Sequence, residues 1–84
     1  MFRDYITIPE ERAKLLRKNR EFIERIENGL NVKTSFEGNS IVIEGEDGLK
    51  IMRAKQIIAA FARGFSPEDA LLLLNENYVL EIIN

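Results

Sequence analysis

Five cations crowded between residues 12 and 20 are the side chains best suited to binding chemistry. No acid interrupts them, and the set comprises Arg12, Lys14, Arg17, Lys18 and Arg20. Long cationic side chains commonly contact nucleic-acid phosphates, and binding of that kind weakens steeply with salt. The stretch therefore predicts weak, salt-dependent phosphate contact. Two other interpretations stay open: a solvated helix face, or a surface that binds a protein.

Charge is segregated along a chain whose net charge is only −2. From Gly64 to the last residue every charged side chain is an acid, namely Glu68, Asp69, Glu76 and Glu81. This balance argues against indiscriminate binding to polyanions. The cationic stretch is a local exception in a slightly acidic protein.

The composition excludes most catalytic and metal-binding classes. The chain has no cysteine and no histidine, so it lacks thiolate ligands and the usual general base near neutral pH. The acids Glu44, Glu46 and Asp47 flank a turn but form no recognisable cation-binding motif. We therefore expect no enzymatic activity, no metal and no cofactor.

Membrane and export signals are also missing from the sequence. There is no run of about 18 apolar residues, and no apolar signal segment follows the first residues. We expect a cytoplasmic protein with no membrane partner.

The cations lie on a helical segment predicted from Pro9 to Gly29. Its apolar residues recur at helical spacing, at Leu15, Leu16, Phe22, Ile23, Ile26 and Leu30. Asn19 interrupts this stripe, which indicates a bend or a junction between two helices. Gly29 is expected to end the segment because glycine adopts a positive φ at low cost.

Three strands are predicted around this segment. Residues 4–8 alternate as a short strand, and the runs 31–36 and 40–45 are expected to pair as a hairpin through a short turn. Four aromatic residues fall on apolar stripes and are predicted to be core: Tyr5, Phe22, Phe36 and Phe61.

A second helix is predicted over residues 48–63, with Met52 widening its apolar stripe. Gly64 is expected just beyond its C-terminus, and Ser66-Pro67 is a strong start signal for a short further helix. That helix carries Leu71, Leu72, Leu73 and Leu74. Four consecutive leucines exceed what one helix face can bury, so we expect part of this run to form a protein interface. Residues 78–84 are predicted to be extended.

These elements form one α+β domain spanning residues 1–84, with a core at about 4–64 and an extension at about 65–84. Strands and helices segregate, which predicts a small sheet covered by helices on one face.

The order of the predicted strands and helices resembles that of a type I KH domain (βααββα), and so do two stretches of the sequence. YITIP, residues 5–9, is similar to the opening of the KH signature, and ARGFSPEDALLLLNENYVLEIIN, residues 62–84, is more specific. The latter resembles the end of the first KH module in the two-KH ribosome assembly factors of archaea and eukaryotes, of the partner-of-NOB and KRR types. The resemblance implies a three-stranded antiparallel sheet with helices on one face, plus an extra C-terminal helix and extended tail.

One departure from the KH pattern bears on function. RNA-gripping KH domains use a GXXG loop between their first two helices, whereas no glycine occurs here from Pro9 to Asn28. The chain thus resembles the degenerate first module of the KRR type, which is associated with protein contacts while the second module keeps the loop. Candidate partners are rRNA, ribosome assembly proteins and a second KH module after Asn84.

The resemblance implies a non-catalytic, RNA-associated module in pre-rRNA processing and assembly of the small ribosomal subunit. The alternative is a protein-interaction scaffold with no RNA binding of its own. A third possibility is an engineered fragment from which the GXXG loop has been removed and which has no native activity, because its sequence between the two helices would look the same.

Overall fold

A computed structural model describes residues 1–75 of the 84-residue chain. The elements in chain order are β1 Phe2–Thr7, α1 Glu10–Lys18, α2 Arg20–Leu30, β2 Val32–Glu37, β3 Ser40–Gly45, α3 Gly48–Ala62, α4 Pro67–Leu71 and a 3₁₀ turn Leu72–Leu74. This confirms the predicted order, including the extra C-terminal helix. The extended tail predicted for residues 78–84 lies outside the described residues.

The sheet has the order β1-β3-β2, and both pairings are antiparallel. Val42 at the centre of β3 therefore pairs with Tyr5 on one side and Ser35 on the other. The first strand begins at Phe2, two residues earlier than predicted, and it ends at Thr7, one residue earlier than predicted. Ile8 lies beyond the strand but is buried, and its N–H donates to the Asn39 carbonyl at 3.0 Å.

The core lies between the helices and one face of the sheet. Ile41 and Ile43 of β3 are almost fully buried there, together with Phe22 and Phe61 from the helices. The prediction that Tyr5 belongs to the core is wrong, because its side chain is 61% exposed. Strand side chains alternate, so Ile6 faces the helices and Tyr5 faces the opposite side of the sheet, which none of the described helices covers.

Two other apolar residues assigned to buried stripes are also exposed. Leu15 is 50% exposed and Met52 is 55% exposed. The inward positions of α1 are taken by Ala13 and Leu16, and neighbouring residues are rotated by about 100° on a helix. Adjacent apolar residues therefore cannot all face inward, and Leu15 points away from the core.

Gly29 does not end α2 as predicted. The helix continues to Leu30, and Asn31 takes the left-handed conformation with φ of 53°. A Cβ added at Gly29 would lie 2.9 Å from Cδ2 of Leu74. Gly29 therefore lies against the 3₁₀ turn, and a larger residue there would require the Leu74 side chain to shift.

The predicted connection between α3 and α4 is confirmed. Gly64 has φ of 104°, its N–H donates to the Phe61 carbonyl, and the Phe65 N–H donates to the Ala60 carbonyl. This is a Schellman motif. The Ser66 side chain then accepts the Asp69 N–H at 3.1 Å and starts α4.

Within residues 1–75, no helix is both long enough and apolar enough to cross a membrane.

Candidate nucleic-acid interface

Asn19 alone joins α1 to α2. Its N–H donates to the Leu16 carbonyl at 3.0 Å and closes α1, while its Oδ1 accepts the Phe22 N–H at 3.1 Å and opens α2. The side chain therefore supplies the N-cap that the second helix requires. This confirms the predicted helix junction and leaves no loop whose backbone could approach a phosphate.

The Arg12 side chain, on α1, contacts the C-terminal end of α3. Its Nε and Nη2 donate to the carbonyl oxygen of Phe61 at 3.1 and 2.7 Å, and its guanidinium carbon lies 4.3 Å from the centroid of the Phe61 ring. Carbonyls in the last turn of a helix lack intrahelical donors and carry the negative end of the helix dipole. Arg12 thus stabilises the C-terminus of α3, and its predicted contact with RNA stays a prediction.

Arg17 spans from the end of α1 to the β2–β3 hairpin. Its Nη2 donates to the Gly38 carbonyl at 3.0 Å, and its guanidinium carbon lies 5.1 Å from the centroid of the Phe36 ring. The side chain is nevertheless exposed, so part of the guanidinium remains accessible to solvent. Arg17 thus links the helix junction to the hairpin.

Lys14, Lys18 and Arg20 are the cations of the stretch that remain available. All three are exposed, and within residues 1–75 none takes part in a hydrogen bond, ion pair or ring contact. Lys14 and Lys18 are four residues apart on α1 and so lie side by side on its outward face. Arg20 begins α2 directly after the junction.

None of the five predicted cations is neutralised by a carboxylate of the described residues. The ion pairs of that part of the chain include Arg3 with Glu37 and Lys55 with Asp4, both away from the helix junction. Lys55 and the Tyr5 N–H both bond the Asp4 carboxylate and lower its pKa below the ordinary value of 3.8. The positive charge at the junction is therefore uncompensated at close range.

Sequence reasoning missed the role of Glu27 in α2. Its Oε2 accepts both the N–H and the Oγ1–H of Thr34, at 2.8 and 2.9 Å. This carboxylate satisfies a donor on the outer edge of β2 and places a negative charge there. No sequence signal marks it, because an acid on a surface helix is ordinary.

The leucine run is largely used by the domain's own core. Leu73 is buried, Leu71 and Leu74 are half-buried against the core, and only Leu72 of the four is exposed, at 44%. The tight 3₁₀ turn after Leu71 makes this possible by redirecting the last three side chains. The predicted protein interface at Leu71 to Leu74 remains a prediction.

Among the described residues there is no group of three or more side chains that could hold a metal ion. No family model matches the sequence.

The β1-β3-β2 sheet, the two helices joined without a loop and the third helix packed on the sheet define a KH-type α+β fold. The chain is 33% identical, over 87 aligned positions, to a KH domain-containing protein of Methanocaldococcus jannaschii. The alignment covers 96% of this chain and 38% of that protein. The fold of this chain is therefore that of a KH domain.

Two solved structures from Pyrococcus horikoshii are similar over nearly the whole chain. One is Dim2p, with 37% identity and a TM-score of 0.80, covering 100% of this chain and 55% of that one. The other is a complex of a/eIF2alpha, aDim2p and rRNA, with 38% identity and a TM-score of 0.78, covering 99% and 51%. The chain thus spans about half the length of these solved chains.

A protein of unknown function from Aeropyrum pernix shares the fold, with a TM-score of 0.80 at 24% identity, over 90% of this chain and 44% of that one.

Proposed function

We propose that this chain is a non-catalytic KH module of a small-subunit ribosome assembly factor and that it associates with rRNA through phosphate contacts. It corresponds in this proposal to the first, degenerate module of the partner-of-NOB or KRR type. The similarity to Dim2p, which occurs in a complex with rRNA, supports this assignment. The observation that carries the mechanism is that Lys14, Lys18 and Arg20 are exposed and have no partner among residues 1–75.

The proposed contact differs in kind from a GXXG grip. A backbone loop fixes phosphates through N–H groups at short range, whereas the junction at Asn19 offers only flexible side chains. Flexible cations hold a nucleotide chain loosely and do not read bases. Arg17 is expected to contribute less than its neighbours because it is bonded to Gly38.

Salt dependence is the quantitative signature of this mechanism. Three phosphate contacts with single-stranded RNA predict a slope of about −2 in log affinity against log salt. The affinity should therefore fall roughly twentyfold between about 50 and 200 mM salt. Little discrimination among RNA sequences is expected.

The test is an RNA titration of the wild-type chain and two double variants with equal changes in net charge. Lys14→Glu with Lys18→Glu removes two of the three contacts, so it should weaken binding strongly and reduce the salt slope by about 1.4. The matched control, Arg25→Glu with Lys33→Glu, alters exposed cations of α2 and β2 and should bind nearly as wild type does. Equal loss in both doubles would mean that net charge, rather than this surface, governs binding.

A protein-interaction scaffold is the second candidate function. It is favoured by the bond from Arg17 to the hairpin, which occupies the side of the junction nearest β2. It is also favoured by the presence of a/eIF2alpha in the complex that contains aDim2p. Absence of RNA binding at low salt would refute the first candidate and leave this one, with assembly proteins or a second KH module as partners.

A further inference from the structure

The face of the sheet that none of the described helices covers contains an apolar residue that is nevertheless buried. Val42 is 6% exposed, although it points away from the helices and is not part of the core beneath them. Its neighbours across the sheet are Tyr5 of β1 and Ser35 of β2. The Tyr5 side chain is largely exposed. An accessible aromatic ring therefore lies next to a small apolar floor.

An ion pair crosses this floor. Arg3 Nη2, on β1, lies 3.5 Å from Glu37 Oε2, on β2, and β3 runs between the two strands. Arg3 is opposite Glu44 of β3 in the register. Glu37 is opposite Ser40, so Val42 lies midway between the two rows and beneath the pair. Both charged side chains are largely exposed and their contact is long, so separating them costs little free energy.

These side chains line a shallow cavity of about 480 Å³, together with Ser40. Ligand sites in proteins commonly measure ~300–1,000 Å³. The Tyr5 ring offers a flat surface on which a planar ring can stack. Glu37 brings two acceptor oxygens, and Arg3 brings a planar set of N–H donors. The cavity therefore suits a planar ligand that carries adjacent donors on one edge and adjacent acceptors on another.

Guanine is the nucleobase whose edges match these two charged groups. Its N1–H and N2–H lie side by side and can donate to both oxygens of one carboxylate. Its O6 and N7 accept a bidentate pair of bonds from a guanidinium, which is the commonest specific contact between proteins and this base. Adenine, cytosine and uracil do not carry N–H donors on two neighbouring ring positions. Each of them can therefore make only one hydrogen bond to the carboxylate of Glu37.

We propose that this cavity binds one unpaired guanine of a single-stranded RNA. The base stacks on Tyr5, donates its N1–H and N2–H to Glu37, and accepts from Arg3 at O6 and N7. It thereby separates the ion pair and replaces it with hydrogen bonds to both partners. This base recognition is distinct from the phosphate contacts at the helix junction, whose cations lie on α1 and α2 at the other face of the sheet.

Two features beside the cavity favour a nucleotide within RNA. Thr7 Oγ1 and Ser40 Oγ are 2.7 Å apart, and one hydroxyl proton is used between them. The other proton can be donated to a ribose 2′-hydroxyl, the group that distinguishes RNA from DNA. Arg17 donates to the carbonyl of Gly38, the residue after Glu37, and so places an exposed guanidinium near the cavity for an adjoining phosphate.

Fluorescence anisotropy with labelled RNA hexamers tests the base preference. The probes are oligouridine and the same hexamer with one central guanine, adenine or inosine. Guanine should bind about tenfold more tightly than uracil because of its bidentate contacts. Adenine stacks comparably but lacks the paired donors, and inosine lacks the N2 amino group, so both should bind less tightly than guanine. Phosphate contacts alone predict equal affinity for all the probes, and that result would overturn the proposal.

Two variants with equal changes in charge assign the preference to Glu37. Glu37→Gln replaces one acceptor oxygen by a donor, so it should lower the preference for guanine over uracil from about tenfold to about twofold. Glu44→Gln, on the same face but outside the cavity, is the matched control and should keep the preference. The ratio of the two affinities is compared because losing a negative charge strengthens binding to every RNA. Equal loss of the preference in both variants would overturn the role of Glu37.

Failure of this site is distinguishable from failure of the phosphate contacts. Lys14→Glu with Lys18→Glu should weaken binding of every hexamer and leave the ratio between guanine and uracil unchanged. If no hexamer binds at low salt, the phosphate contacts are refuted, and an NMR titration with guanosine monophosphate tests the cavity by itself. The amide signals of Ser40 and Val42 should then shift with guanosine monophosphate and not with adenosine monophosphate. No shift at about 10 mM nucleotide would overturn the site.

Discussion

Replacing Arg12 tests whether this residue stabilises the fold, as its contacts with Phe61 indicate, rather than serving only to bind RNA, as the sequence suggests. Arg12→Ala removes two hydrogen bonds to the Phe61 carbonyl and the contact with the Phe61 ring. The carbonyl keeps its bond from the Gly64 N–H, so it is not left without a donor. What the substitution removes is the connection between α1 and the last turn of α3.

The magnitude follows from these contacts. Hydrogen bonds from a charged donor contribute about 1.5–3 kcal/mol, and a cation–π contact of this kind about 0.5–1 kcal/mol. Both arise from one half-buried guanidinium and are not additive, so Arg12→Ala should lower the free energy of unfolding by about 2 kcal/mol. For a domain of this size, that corresponds to a fall of roughly 8–16 °C in Tm.

Urea unfolding followed by circular dichroism measures the effect. Arg12→Lys keeps the charge but not the planar fork, and it should lose about half as much stability as Arg12→Ala. Lys18 is exposed on the same helix and has no partner within residues 1–75, so Lys18→Ala should stay within about 0.5 kcal/mol of wild type. If Arg12→Ala were equally neutral, the assignment of Arg12 to the fold would be wrong.

Two further predictions concern the carboxylates. Glu27→Ala should cost about 1–2 kcal/mol in urea unfolding because the Thr34 N–H and hydroxyl lose their shared acceptor, whereas Glu24→Ala, exposed on the same helix, should be close to neutral. Asp4 has its folded-state pKa lowered below 3.8 by Lys55 and the Tyr5 N–H, so its contribution is complete above pH 3.8 and is lost as the pH falls through the folded value. Urea midpoints of wild type and Asp4→Asn should therefore differ at neutral pH and converge in acid; a constant difference would contradict this linkage.

The helices and turns were predictable because their signals are local. Ser66-Pro67 caps α4, Gly64 ends the Schellman motif, and Asn19 breaks the apolar stripe at the residue where the two helices meet. Each depends only on neighbours within one helical turn. The prediction that Gly29 ends α2 failed because a glycine near a helix end has two explanations, a positive φ or close packing against a neighbouring segment. Only the position of Leu74 decides between them.

The candidate site was less predictable because it depends on long-range contacts. The five cations look equivalent in the sequence, yet Arg12 bonds the Phe61 carbonyl and Arg17 bonds the Gly38 carbonyl. Lys14 and Lys18, by contrast, have no partner in the part of the chain that the structure describes. Tyr5 was misassigned for a related reason. Alternation shows that Tyr5 and Ile6 lie on opposite faces, but not which face the helices cover.

The central position of β3 has a consequence for the order in which the sheet assembles. β2 and β3 are joined by a two-residue turn and can pair locally, whereas Thr7 of β1 meets Ser40 of β3 across 33 positions. Contacts of such separation form late, since a long loop must close first. Within this domain, β1 is therefore synthesised well before its described partner, and Ile6 and Ile8, which pack into the folded core, stay exposed to solvent until β3 is available.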